Sequence, residues 1–244
     1  VYMGGGSPAL CDLRPLFAAL RPYIGEDTEF TVELHPLDVT EELLKALRDG
    51  GVNRISMGVQ SLDDAILRAM GRGYALADAE RAFALVRRYF ENAGIDLIVG
   101  YPGEASALTP RHGRLAKWGL AHCSVYSLIR EEKTALDALV AHGKAVLPDD
   151  DVVLDRIAVV SRFLNDIGLE RYEISNYALP GRECRHNLAT WRGEDYIGIG
   201  EGAIGRLGLT RTCEGAATET PTPQRDRLER TIFRPRTPAG IDAS

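Results

Sequence analysis

Apolar positions along the chain fall into two repeating rhythms. One is a short run of β-formers; the other places apolar residues three and four apart, as an amphipathic helix does. The first run, Val1-Tyr2-Met3, breaks into Gly4-Gly5-Gly6-Ser7-Pro8. Residues 10–20 then carry Leu13, Leu16, Phe17 and Leu20 at helical spacing, closed by Pro22. Residues 29–34 read as a strand, and Thr40 N-caps a helix that Gly50-Gly51 stops. Residues 53–59 form the next strand, 63–70 a short helix, and 75–92 a long helix ended by Gly94. Strands follow at 95–100, 123–128 and 172–177, with helices at 109–118 and 149–167.

Strand–helix units that recur every ~25–35 residues mean parallel strands with crossover helices. The strands read as apolar on both faces, as buried parallel strands do. The fold class is therefore α/β, and either a (β/α) barrel or an open doubly wound sheet fits. The character changes after Gly202: residues 214–225 are small, polar and rich in Pro and Thr, which reads as a loop or linker. Residues 226–244 hold one weak helix before Pro235 and Pro238, and poor order is expected there. The division expected is 1–205 as the main body and 206–244 as linker and C-terminal region.

Composition narrows the function classes. The 244 residues suffice for one sizeable core. A net charge of -6 argues against a nucleic-acid partner, which usually leaves a basic footprint. No apolar run approaches a membrane span, and no signal peptide is visible, so the cytoplasm is the default. Cys11, Cys123, Cys184 and Cys213 are scattered, with no CxxC pair, and give neither a disulfide framework nor a metal motif. The chain starts at Val1, inside a predicted strand, so a fragment of a longer protein is expected.

Ligands of parallel α/β folds bind beyond the carboxyl ends of the strands. Those ends carry Gly5-Gly6-Ser7, Glu33, Gln60 and the Tyr126-Ser127 pair. Asp96 lies within the strand at 95–100, and Arg72 follows Gly71 after a helix. Singly, each has a plain reading: Glu33 as a surface acid, Asp96 as a loop cap, Arg72 as a solvated helix-end charge. Together they suit a ligand with amine, carboxylate and hydroxyl groups. A second cluster places His186-Asn187 near Trp191; chemistry alone favours a packed loop histidine over an axial haem ligand.

These stretches, in order, resemble a known family. Val1 to Pro8, Glu33 with Pro36, Arg54-Ile55-Ser56-Met57-Gly58-Val59-Gln60-Ser61, Gly71-Arg72, Asp96 to Gly103, Tyr172-Glu173-Ile174-Ser175-Asn176-Tyr177, and His186-Asn187 resemble the radical SAM family of oxygen-independent coproporphyrinogen III oxidases. Within it they are most similar to the haem-chaperone branch. The resemblance implies a partial (β/α) barrel lacking its first strand, with S-adenosylmethionine (SAM) and a [4Fe–4S] cluster as cofactors and haem as a further ligand. Carried over by position, it implies that Gly5, Gly6, Ser7, Glu33, Gln60, Arg72, Asp96 and Ser127 contact SAM, with His186 as a haem-ligand candidate. The implied activity is haem delivery to apo-proteins, the implied partners being haem or porphyrin and those acceptors. The alternatives are oxidative decarboxylation of coproporphyrinogen III, and a non-functional fragment. The family's Cys-x3-Cys-x2-Cys loop does not occur in this sequence, so the chain as given is expected to be inactive.

Overall fold

The computed structural model describes residues 1–104, 113–200, 202–213 and 216–218. They form two compact units, Val1–Leu188 and the part that starts at Ala189.

The first unit is built on a seven-stranded sheet in the order β1-β2-β3-β4-β5-β7-β6. Its strands are β1 (Tyr2–Met3), β2 (Thr31–Leu34), β3 (Arg54–Gln60), β4 (Asn92–Val99), β5 (His122–Ser127), β6 (Glu170–Arg171) and β7 (Asn176–Ala178). Strands β1 to β5 pair in parallel, whereas β7 runs antiparallel to both β5 and β6. The helices are α1 (Arg14–Leu20), α2 (Glu41–Asp49), α3 (Asp64–Ala69), α4 (Leu76–Arg87), α5 (Ala135–Ala141), α6 (Asp150–Asp166) and α7 (Arg185–Arg192). Local chemistry fixes several helix starts: Thr40 Oγ1 accepts from the Leu43 amide at 3.1 Å, and Asp63 accepts from the Ala65 amide at 2.8 Å.

The two faces of the parallel strands differ completely. Val32, Leu34, Ile55, Met57, Val59, Ile95, Leu97, Cys123 and Val125 are buried in one hydrophobic core with Leu44, Leu47, Phe83, Val86, Val160 and Leu164 of the helices. The residues that alternate with them are Thr31, Glu33, Arg54, Ser56, Asp96, His122, Ser124 and Tyr126. The expectation of strands apolar on both faces is therefore corrected: one face is apolar and helix-packed, the other polar. Burying a polar face requires partners or a ligand, and this face carries the candidate site.

Other boundaries move for physical reasons. Residues 10–13 precede the helix, because a 3-10 turn at Pro8–Leu10 leads into α1 at Arg14. The helix expected at 75–92 stops at Arg87, and Asn92 and Gly94 belong to β4. Gly94 is no helix stop. A Cβ there would lie 2.7 Å from the His122 backbone oxygen, so the glycine lets β4 approach β5. Only Asn176 and Tyr177 of the strand expected at 172–177 are in β7. Ahead of them the Arg171 guanidinium donates to the Glu173 and Ile174 carbonyls and bends the chain. Of the helix expected at 109–118, residues 109–112 lie outside the described residues, 113–115 are helical and 116–118 form a turn; the C-terminal stretch 219–244 also lies outside the described residues.

The second unit contains an antiparallel sheet of β8 (Ile204–Leu207), β9 (Thr210–Cys213) and β10 (Ala216–Thr218). Strand β10 occupies part of the stretch read as loop. Among the described residues no helix is long and apolar enough to cross a membrane.

Candidate functional site

The carboxyl ends of β1 to β5 open onto a cavity of about 560 Å³. That volume lies within the usual range for small-molecule sites. The loop after β1 forms one edge. Gly5 has φ +83°, a left-handed conformation that favours glycine. A Cβ on Gly4 would lie 2.5 Å from the Glu33 carboxylate, so that glycine leaves room for the acid. Glu33, on β2, accepts from the Tyr2 hydroxyl at 2.7 Å and from the Gly5 amide at 3.2 Å. Burial, with the negative charges of Glu33 and Asp96, pushes the Tyr2 phenol far up, so it remains a donor.

Asp96, on β4, is the second carboxylate. The Ser56 hydroxyl of β3 lies 3.0 Å from each of its oxygens. Burial raises its pKa to about 6. Hydrogen bonds from Ser124 and Ser56 and the charge of Arg54 oppose that rise, and the charge of Glu33 adds to it. Gln60 ends β3 at φ +67°, where the register to β4 slips between Gly58 and Gln60. A side chain held in left-handed backbone costs about 1–3 kcal/mol and marks a place where the surroundings over-determine the geometry. Arg72 lies on the link between α3 and α4, and its Nε is buried with no protein partner.

Six of the nine residues singled out from the sequence line the cavity: Gly6, Glu33, Gln60, Arg72, Asp96 and Ser127. Three do not line it. Gly5 touches it through its amide on Glu33. The Ser7 hydroxyl donates to the Asp38 carboxylate, which ties down the turn. His186, at the start of α7, stacks its ring on Tyr2 with centroids 4.7 Å apart and planes 29° apart, and its amide donates to Glu29 at 3.3 Å. Burial lowers its pKa, which favours neutral imidazole.

Sequence reasoning missed several participants. Tyr2, His35 and Glu131 line the cavity, beside the Tyr126 already named at the end of its strand. Tyr2 carried a readable signal, since a strand residue two before Gly4 shares its side of the sheet. Ser56 did not, because it sits with Arg54 and Gly58 inside an otherwise apolar run along β3. Burial raises the Tyr126 phenol to about 12.

No group of three or more His, Cys, Asp or Glu side chains is placed to hold a metal among the described residues. Cys11 is exposed, whereas Cys123 and Cys184 are buried, and burial raises both buried thiols. Protonated thiols are poor metal ligands.

Comparison with known proteins points to one superfamily. Residues 1–106 match the radical SAM superfamily model. Over 220 residues the chain is 36% identical to the heme chaperone HemW of Bacillus subtilis (strain 168), covering 87% of this chain and 58% of that protein. The chain resembles the HemN/HemW-like proteins of the radical SAM superfamily. HemW of Mycobacterium tuberculosis (strain ATCC 25618 / H37Rv) is 37% identical over 86% of this chain and 56% of its own length. The fold likewise matches the Escherichia coli coproporphyrinogen III oxidase HemN, a radical SAM enzyme, with TM-score 0.70 at 24% identity over 86% of this chain and 52% of that one. The chain thus spans a little over half the length of these curated relatives.

The radical SAM match over residues 1–106 implies SAM and a [4Fe–4S] cluster. The cavity's donors and acceptors fit the first. For the second, the described residues supply no ligand set, and no step is assigned through a cluster here.

Proposed function

We propose that the cavity at the carboxyl ends of β1 to β5 binds SAM, in a protein of the haem-delivery type. The observation that carries the SAM reading is the pairing of a buried, partnerless Arg72 Nε with two carboxylates in one cavity. SAM carries a carboxylate, an ammonium, a sulfonium and a ribose diol, and each has a counterpart here. Arg72 would pair the ligand carboxylate. Glu33 and Asp96 would accept from the ammonium and the ribose hydroxyls, and both favour the sulfonium charge. Gln60 and Ser127 can donate or accept. The bare backbone at Gly5 and Gly6, where a Cβ would meet nothing within 4 Å, allows close approach of the ligand.

When bound beside a reduced [4Fe–4S] cluster, SAM supplies one-electron chemistry at its sulfonium. The chain's own part is to bind and orient: Tyr2 holds the Glu33 carboxylate, and Ser56 holds Asp96. Haem delivery is supported by the names of the HemW relatives and by a neutral His186 imidazole, the form that ligates iron.

Equilibrium titration tests both halves on the full chain. Labelled SAM should bind wild type and bind Glu33→Gln and Arg72→Ala at least tenfold more weakly, each lost charged contact being worth about 1.5–3 kcal/mol. Haemin should bind His186→Ala more weakly than wild type. Equal SAM affinity in all three proteins contradicts the first half, and equal haemin affinity the second.

A further inference from the structure

Among the described residues only Gln60 and Lys133 carry a side chain on left-handed backbone, and only Gln60 lines the cavity. Its conformation coincides with the register slip at the end of β3, which turns the Gln60 side chain into the cavity at the expense of ladder pairing. Such a conformation persists only where something outside the strand holds it.

That hold comes from Tyr74, on the six-residue link between α3 and α4. Tyr74 is 5% exposed. Its hydroxyl lies 2.9 Å from the Gly58 carbonyl oxygen and 3.0 Å from that of Val59, and so donates to the two peptides before Gln60. The Val59 carbonyl also accepts from the Ser61 amide at 2.8 Å, which closes a tight turn around Gln60. The ring of Tyr74 is fixed in turn. His35, which lines the cavity, meets it edge-on at 5.1 Å, and the link is tied to α3 by the Leu76 amide donating to Asp64 at 2.7 Å. Burial raises the Tyr74 phenol to about 12, so the donor proton is present throughout the neutral range.

We infer that Tyr74 is a positioning residue whose hydroxyl holds the β3 bulge and thereby aims Gln60 at the bound ligand. The inference rests on the SAM reading for its consequence, though not for its geometry. A plain core tyrosine would contribute packing, which phenylalanine supplies equally. The hydroxyl's role is directional, and its loss frees Gln60 to relax toward ordinary extended backbone.

Tyr74→Phe in the full chain tests this by two independent readouts. The first needs no ligand. By amide-resolved NMR, Tyr74→Phe should shift the Gln60 backbone resonances and speed hydrogen exchange at the Ser61 amide about tenfold, with melting within a few degrees of wild type. Unchanged Gln60 and Ser61 signals overturn the inference, whatever SAM does. The second readout is a double-mutant cycle in SAM affinity. Tyr74→Phe and Gln60→Ala should each weaken binding about five- to tenfold, and the double variant should bind no worse than Gln60→Ala alone. Additive losses would show that Tyr74 acts otherwise than through Gln60. A Gln60→Ala variant that binds like wild type would refute the SAM role of Gln60 and leave the NMR result to decide the geometry.

Discussion

At the scale of single residues, Asp96 sets the terms. Its carboxyl sits among groups that partly compensate its burial, yet its pKa is raised to about 6. The unfolded value is near 4. Between those limits the folded state binds the proton more tightly than the unfolded chain does, so the contribution of Asp96 to stability is full below about pH 4 and is lost as pH rises through about 6. The charge carried at neutral pH therefore costs on the order of 2–3 kcal/mol. Thermal melting should show Asp96→Asn more stable than wild type at pH 7.5 and equal to it at pH 4. SAM affinity should move the opposite way. It should rise in wild type as pH passes about 6, because a cation prefers the ionised acid, and it should be low and flat in Asp96→Asn. A variant that is less stable at pH 7.5, or that binds SAM normally, would show that Asp96 is merely structural. Stability given up for a charge aimed into a cavity is the usual pattern of a binding site.

At the scale of elements, the alternation of faces explains what could be read beforehand and what could not. The order of β1 to β5 with α1 to α4 and α6 was legible because each strand is a short run of β-formers and each helix keeps its 3.6-residue stripe, whereas α5, α7, β6 and β8 to β10 were not anticipated. The polar face was not, since Arg54, Ser56 and Gly58 sit within an otherwise apolar run and period-2 alternation is easily lost in seven residues. Glu33 and Gln60 could be placed at the cavity because ligands lie beyond strand ends, whereas Asp96, inside β4, and Arg72, on the link after α3, are readable as charged residues beside those ends. The left-handed turn at Gln60 was invisible, for it depends on Tyr74, fourteen positions further on. Gly94 was misread for a similar reason. A glycine after a helical stripe looks like a stop, and only the partner strand shows that it serves close approach. Gly94→Ala should therefore lower stability by about 1–3 kcal/mol, or several degrees in melting temperature, because the added methyl meets His122 backbone. Gly25→Ala, where a Cβ meets nothing within 4 Å, should melt like wild type; equal melting of both variants would refute the close-packing account.

At the scale of the whole molecule, the parallel sheet gives one face to a hydrophobic core and the other to Tyr2, Glu33, Ser56, Asp96 and Tyr126. The helices stabilise the apolar face and so hold the polar one in place without contributing to it. Arg72 and Tyr74 are exceptions, brought in by the link after α3, and they supply the guanidinium and the clamp that the strands lack. Ser175, just before the antiparallel strand β7, stands at the cavity wall. The proposed SAM site is this cavity. A crystal structure of the full chain grown with SAM tests it most directly. Ligand density is expected between Gly6 and Ser127, with the SAM carboxylate against Arg72 and its cationic part facing Glu33 and Asp96. Ligand density elsewhere, for example in the groove between α1 and Gly50-Gly51, with the β1 to β5 cavity empty at saturating SAM, would contradict it.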